Sequence, residues 1–562
     1  TLICFLLPAI SHCRGLLARA KRAKIFRFTD SIAVEDEVLE IPIFHTNDIH
    51  GYGFPRSVLS PEDDPRAGGL FSLATLIKQE RRKLWRTQPE LAKEFVRSGR
   101  GDGILLFDTG DYISGTLDCS MSKGMHMTEL MNSSFLDYDA VTIGNHGSDY
   151  GRQELERLLS RRRMPIVVSN LYESSSGELM DFTQSKTIIQ YKGVKIAVFG
   201  LAHPHSTRID GIDCRPVLDT VEKVLPDLSQ KADLVILLSH LGLDREKKWR
   251  NGLKKISQSH SPKGIDLIID GHSHSRSAYR LGRTLVVQAG MYGKHCGKVV
   301  LEWSPKQSKL IRAKTSLYSL MTDETPVSKS LKRKYTQLLD QVRNINEEVV
   351  VSGLEGLFFG KSSRSSKSLS NPAAEFVARS IYETESEGMK ADAAVVYHKG
   401  VRNAIAANDR GEVTAGILHS ILPFNEEIVF IERTGKELFS LVDYGIFKKF
   451  FWAGIKAEIE EKDVGRRYPK RKLRNLFIYS REKGKFLPVE EEEKYILACP
   501  AFFGRVFVRP EDGDRIFKSG VKGKEALAKL LLSYRDGAQI LSSLDPLANG
   551  ISFHYTGSQS MN

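Results

Sequence analysis

The chain has 562 residues, of which 41% are hydrophobic and 27% charged, and its formal net charge is +13. That length exceeds one ordinary core and predicts two domains with a linker, while the composition excludes a disordered chain and a membrane-embedded one. The positive charge lies in short clusters such as Arg161-Arg162-Arg163, Lys332-Arg333-Lys334 and Lys470-Arg471-Lys472, interrupted by acidic runs such as Glu490–Glu493. It favours anionic partners by steering but does not choose among small anions, nucleic acid and a membrane surface.

The first predicted element is a leader over residues 1–38. Leu2–Ile10 is apolar, and Arg14–Arg27 is basic without an acidic residue. The apolar run is shorter than the ~18 residues a membrane helix needs, so it reads as a truncated secretory-signal segment. A secreted, periplasmic, cell-surface or lumenal location is expected, with membrane association only through this leader. The 6 cysteines are scattered and form no CxxC pair, so disulfides are not expected to hold the fold.

A first domain is placed at residues 39–322. Short apolar runs read as buried strands at Ile41–Phe44, Ile104–Phe107, Val141–Ile143, Ile166–Val168, Ile196–Phe199, Leu234–Leu238, Ile265–Ile269 and Thr284–Val287. Helical stretches lie between several of them, at Leu70–Leu84, Met125–Met131, Arg152–Arg161 and Val217–Leu225. That alternation predicts a layered α/β domain with much parallel pairing. Asp323–Val349 reads as a connecting helix and Lys361–Ser370 as a Ser/Lys-rich link, so residues 323–370 form the connection. A second mixed domain is placed at 371–562, with helices at Ala373–Tyr382, Lys436–Asp443 and Lys524–Tyr534 and strands at Ala393–Tyr397, Ile428–Ile431 and Tyr495–Cys499.

The chemistry-bearing residues sit where the apolar runs end. Asp48 and His50 follow the first run, and alternate residues of an extended segment would face one metal together. Asp108-Thr109-Gly110-Asp111 follows the next strong run, then Gly144-Asn145-His146-Gly147-Ser148-Asp149, then Ser239-His240 and Asp270-Gly271-His272-Ser273-His274. Singly, each Asp reads as a cap or turn residue and each His as a satisfied side chain. Together, five clusters at the carboxyl ends of strands mark the crevice of an α/β sheet. Their oxygen and nitrogen donors suit zinc, manganese or iron, and are too His-rich for a calcium or magnesium cage.

On these motifs the chain resembles the 5′-nucleotidase and UDP-sugar hydrolase family of the calcineurin-like metallophosphoesterase superfamily, over Ile41–Trp303 above all. The resemblance implies an α/β fold: a four-layer αββα domain, then a smaller mixed α/β domain that binds the nucleoside part of a nucleotide. It implies two divalent ions, one on Asp48, His50, Asp111 and His274 and the other on Asp111, Asn145, His240 and His272, with Asp111 bridging. The family motif Gly-Asn-His-Glu-Phe-Asp keeps its ligand and its catalytic pair here as Asn145, His146 and Asp149. Hydroxide held between the metals would attack a phosphate ester, most directly a nucleoside 5′-monophosphate, while His146 stabilises charge or protonates the leaving oxygen. His146 as a residue that merely orients Asn145 is the plainer reading.

In the second domain the resemblance assigns substrate contacts to Arg402, Phe424, Phe502 and Asp512, the two rings stacking on a base. Departures from the pattern at Tyr397, Lys399, Pro500 and Glu511–Asp514 imply a remodelled pocket. Arg402 also reads as a surface ion-pair residue, and the two Phe as core. Domain closure about Ser362–Ser370 is a further implication. Competing readings are a phosphodiesterase acting on cyclic nucleotides or UDP-sugars, and a non-catalytic metal- or nucleotide-binding relative. No nucleic-acid-binding module is recognisable, so a specific nucleic-acid partner is not expected.

Overall fold

The computed structural model describes residues 38–55, 66–87, 89, 103–204, 211–259, 264–360, 371–424, 426–462, 470–504, 516–535 and 551–555. Residues 1–37 of the leader, the Lys361–Ser370 link with its hinge, and Asp512 lie outside the described residues. The chain divides into two compact units, one taking in most of the chain to Tyr335 and the other running from Thr336 onward.

The first unit is built on two sheets. One has five strands in the order Lys309–Ser319, His295–Ser304, Leu39–Thr46, Leu105–Asp108, Ala140–Val141. The other has six, in the order Arg276–Leu281, Thr284–Ala289, Leu267–Asp270, Leu234–Ser239, Val194–Leu201, Lys186–Tyr191. The central pairs of the six-stranded sheet, and the pairs joining Leu39–Thr46, Leu105–Asp108 and Ala140–Val141, are parallel. A strand covered on both faces is apolar over nearly its whole length, and Leu234–Ser239 is buried at every position, its one polar side chain, Ser239, being bonded to Asp270. Leu234, Ile236 and Leu238 enter the core between the sheets with Ile41, Ile43, Leu105 and Phe107. Val235 and Leu237 point the other way, into a core with Val221, Leu225 and Leu228 of the helix Val217–Lys231 and Leu253 and Ile256 of the helix Lys247–Ser259. Each such Val, Ile or Leu contributes roughly 1.5–3 kcal/mol on burial. On the five-stranded side the helix Gly69–Thr87 is tied to the sheet by an ion pair between Glu80 and Lys298.

Several elements differ from the sequence reading. Ile166–Val168 makes only isolated bridges, from Val141 to Ile166 and from Val167 to Gln184, rather than a strand. The strands His295–Ser304, Lys309–Ser319 and Lys186–Tyr191 were not expected, because charged residues interrupt the apolar ones of the first two and Thr187 and Gln190 flank the short Ile188-Ile189 pair of the third. The helix Val217–Lys231 continues through Pro226. The single connecting helix is two, Lys329–Lys334 and Thr336–Glu347. Tyr335 between them leaves helical dihedrals at φ −107 and packs its ring on Phe71.

The second unit has a five-stranded mixed sheet in the order Phe450–Ala453, Ala393–Tyr397, Lys494–Pro500, Glu427–Thr434, Ile516–Lys522. Helices Pro372–Tyr382 and Gly523–Arg535 cover one face, where Phe376, Val377 and Leu527 meet Val396 and Phe430. The helix Gly435–Lys448 helps cover the other through Leu438 and Val442. It starts at a reciprocal cap in which Thr434 and Glu437 satisfy each other's main-chain N–H, an arrangement that contributes about 1 kcal/mol.

Candidate metal centre

The loops that leave the carboxyl ends of Leu39–Thr46, Leu105–Asp108, Ala140–Val141, Leu234–Ser239 and Leu267–Asp270 meet at one place. They bring Asp48, His50 and His274 into one group and Asp111, His240 and His272 into a second. In each group the candidate ligand atoms all lie within 4.8 Å of one another. Asp111 stands between the two. Its Oδ2 is 3.0 Å from His240 Nε2 and 3.9 Å from His50 Nε2. His274 Nε2 is 3.4 Å from Asp48 Oδ1 and 3.1 Å from His50 Nε2. Donors sharing one ion at ~2.0–2.2 Å lie roughly 3–4 Å apart, so the set fits two divalent ions.

Backbone conformation accounts for the convergence. Asp48, His50, Asp111, His272 and His274 all have positive φ, between 50° and 75°. Non-glycine residues there cost of order 1–3 kcal/mol each, a concentration of strain typical of functional sites. This corrects the sequence reading of Asp48 and His50: they converge through a left-handed turn and not by strand alternation. The turn is held by Asp48 N–H donating to Gly110 O at 3.0 Å and His50 N–H to Asp111 O at 2.8 Å.

Neighbouring groups fix each side chain. His240 Nδ1–H donates to Thr109 O at 2.6 Å, which turns Nε2 toward Asp111. Asn47 donates to Asp48 Oδ2 at 2.7 Å and accepts from Ala289 N–H at 2.8 Å. Asp270 is bound by Ser239 and by the N–H groups of Leu241 and Leu243, so it anchors the loops beneath the site. His272 Nδ1 and Asn145 Oδ1 are 2.7 Å apart, placing Asn145 beside the second group. His146 N–H donates to Asp111 Oδ1 at 2.8 Å, and His146 Nδ1 lies 2.8 Å from Asp149 Oδ2, which also accepts from Ser114 Oγ at 2.5 Å. Tyr292, missed by the sequence reading, stands edge-on to His50 and His274 at 5.9 and 5.8 Å and stacks on Tyr52.

Burial pushes the Asp111 carboxyl up, but His240, His146 and His50 outweigh it and hold it well below the usual range. For Asp48, burial is likewise outweighed by His274 and His240. Burial drives His50 well below its usual value. Burial also opposes the charged form of His240, yet the Asp111 and Asp48 carboxylates raise it to about 10.

The calcineurin-like phosphoesterase family matches residues 41–276, and the 5′-nucleotidase C-terminal domain family matches residues 349–505. The chain belongs to the 5′-nucleotidase family of calcineurin-like phosphoesterases. This 5′-nucleotidase-family chain is 24% identical over 449 residues to protein UshA of Yersinia enterocolitica, across 72% of this chain and 76% of that protein. It is 23% identical over 511 residues to a 5′-nucleotidase of Vibrio vulnificus, across 82% and 84%. The crystal structure of a 5′-nucleotidase precursor from Thermus thermophilus shares the fold with a TM-score of 0.69 at 18% identity, covering 92% of this chain and 99% of that one. The protein is a phosphoric-ester hydrolase of a family that uses dinuclear metal sites.

In the second unit of this family member, the Arg402 guanidinium lies 5.1 Å from the centre of the Phe424 ring. Phe502 lies in the short helix Ala501–Phe503 that follows Lys494–Pro500; it is 40% exposed, and its N–H donates to Glu426 at 2.5 Å. Tyr397 stands edge-on to His398 and Phe450.

Proposed function

We propose that this chain hydrolyses nucleoside 5′-monophosphates with two divalent ions, drawn from zinc, manganese and iron. One ion is assigned to Asp48, His50, Asp111 and His274, the other to Asp111, Asn145, His240 and His272. The observation that carries this reading is the meeting of two donor groups, with the Asp111 carboxylate 3.0 Å from His240 of one and 3.9 Å from His50 of the other, and a His–Asp pair alongside. When bound, the ions supply Lewis acidity and lower the pKa of a coordinated water. Asp149, accepting the Nδ1 proton of His146, sets that ring's tautomer and directs Nε2 toward proton exchange with the leaving oxygen. Recognition of the nucleoside part is assigned to Arg402, Phe424 and Phe502, where a guanidinium and aromatic faces favour a flat base. A secreted, periplasmic or lumenal setting goes with this reading. Among the described residues, no helix is long and apolar enough to cross a membrane.

The test is phosphate release by metal-loaded protein from a panel of nucleoside monophosphates, UDP-sugars, cyclic nucleotides and an aryl phosphate. Nucleoside monophosphates are expected to turn over fastest. Two bound metals with no release from any member would sink the reading.

The same reading makes Gly144 sensitive. A Cβ there would lie 2.0 Å from Asp111 Oδ1 and 2.6 Å from Asp111 N. Gly144→Ala must therefore push the shared carboxylate aside. Calorimetric titration is expected to show metal affinity reduced about 10–100-fold, as for losses of outer support. Unchanged affinity would show that Asp111 is not held where the metals bind.

A further inference from the structure

A sixth strand also ends in a histidine at this edge. Val194–Leu201 is followed by Ala202-His203, and His203 is 5% exposed. Its ring lies nearly parallel to that of His272, with centroids 4.3 Å apart and planes at 21°. Trp249, from the helix Lys247–Ser259, meets His203 edge-on at 5.2 Å and 86°. His272 is bounded on further sides as well. His240 stands edge-on to it at 5.4 Å, and Gly242, at φ +67, leaves the space in which a Cβ would lie 3.2 Å from His272 Cδ2.

We propose that His203 is a positioning residue for the second metal. Its imidazole, backed by Trp249, fills one face of His272 and leaves that ring a single orientation, the one that brings Nδ1 to within 2.7 Å of Asn145 Oδ1. An imidazole free to turn about its χ angles must lose that freedom when a metal binds; one already packed has lost it on folding. His50 and His274 are packed instead by Tyr292. Loss of His203 therefore weakens the Asp111–His240–His272 group selectively. The inference rests on the two-metal reading above and adds a determinant to it.

The experiment is titration of the metal-free full chain with Zn²⁺, followed by calorimetry and by metal content after gel filtration. His203→Leu, which keeps bulk but not the flat face, is expected to weaken one of two sites about 10–100-fold and leave the other unchanged. His203→Phe, which restores an aromatic face, is expected to remain within a few-fold of the parent. Trp249→Leu should act in the same direction as His203→Leu, more weakly. Turnover by His203→Leu should fall at limiting Zn²⁺ and recover at saturating Zn²⁺ with KM for substrate unchanged, which a general folding defect would not produce. Parental affinity at both sites in His203→Leu, or equal damage in His203→Phe, overturns the proposal. His272→Ala serves as the separate control: if it still binds two Zn²⁺ tightly, the two-metal reading itself fails.

Discussion

Replacing His146 with Ala is expected to lower phosphate release about 10²–10⁴-fold, the range for losing a positioned acid–base group, with metal stoichiometry unchanged. The separation of the two effects follows from the contacts. The hold on Asp111 comes from the main-chain N–H of residue 146, at 2.8 Å from Oδ1, and survives truncation of the side chain. The imidazole itself is directed by Asp149 at 2.8 Å and stands edge-on to His50, with ring centroids 5.3 Å apart. It is beside the donor groups without supplying one of their members. Asp149→Asn is expected to give a smaller loss in the same direction, because the ring loses its tautomer control but keeps its place. Rate and metal content are measured on the same preparations. Turnover within about three-fold of the parent would remove His146 from the chemistry. Parallel loss of rate and metal would instead make it a residue that orients Asn145.

The second large effect is expected at Asp111. Asp111→Ala should abolish detectable turnover and remove the rise in Tm that metal confers on the parent. A ligand that binds only the folded state stabilises it by about 2.7 kcal/mol per site at 100 times its Kd. Because Asp111 is 3.0 Å from His240 and 3.9 Å from His50, one substitution affects both groups. The parent should also show a proton linkage. His240, raised to about 10 by Asp111 after opposing burial, must give up its Nε2 proton when a metal takes that position. Apparent affinity should therefore rise with pH up to about 10, and titrations in buffers of different ionisation enthalpy should register the released proton. Asp111→Ala lacks the carboxylate that retains this proton. A metal-dependent Tm rise that persists in Asp111→Ala would refute the shared-carboxylate arrangement.

The candidate ligand residues stand out in the sequence because of a rule about strands. Parallel strands covered on both faces are continuous apolar runs, so their ends are visible, and loops after those ends carry the polar residues. His203 follows the end of Val194–Leu201 by the same rule, yet it lies outside the five clusters that the motifs single out. Tyr292 carries no local mark at all, since it reaches His50 and His274 only through the return of the chain after Thr284–Ala289. The antiparallel strands His295–Ser304 and Lys309–Ser319 were illegible for the opposite reason to the parallel ones. They have partly exposed positions, and charged residues such as Lys298 and Glu302 in one and Arg312 and Lys314 in the other cut their apolar runs to two or three residues.

What the amino-acid order determines by itself is the set of donors and their placement at strand ends, since both depend only on residue type and local pattern. What the tertiary structure decided is their grouping. His50 and His274 are 224 positions apart, and only the order of strands within and between two sheets brings their rings together. It also decided the left-handed backbone at Asp48, His50, Asp111, His272 and His274, a conformation L-residues avoid unless long-range contacts impose it. The stack of His203 on His272 belongs to the same class, because side-chain orientation follows from the packing of neighbours that no local stretch of sequence contains.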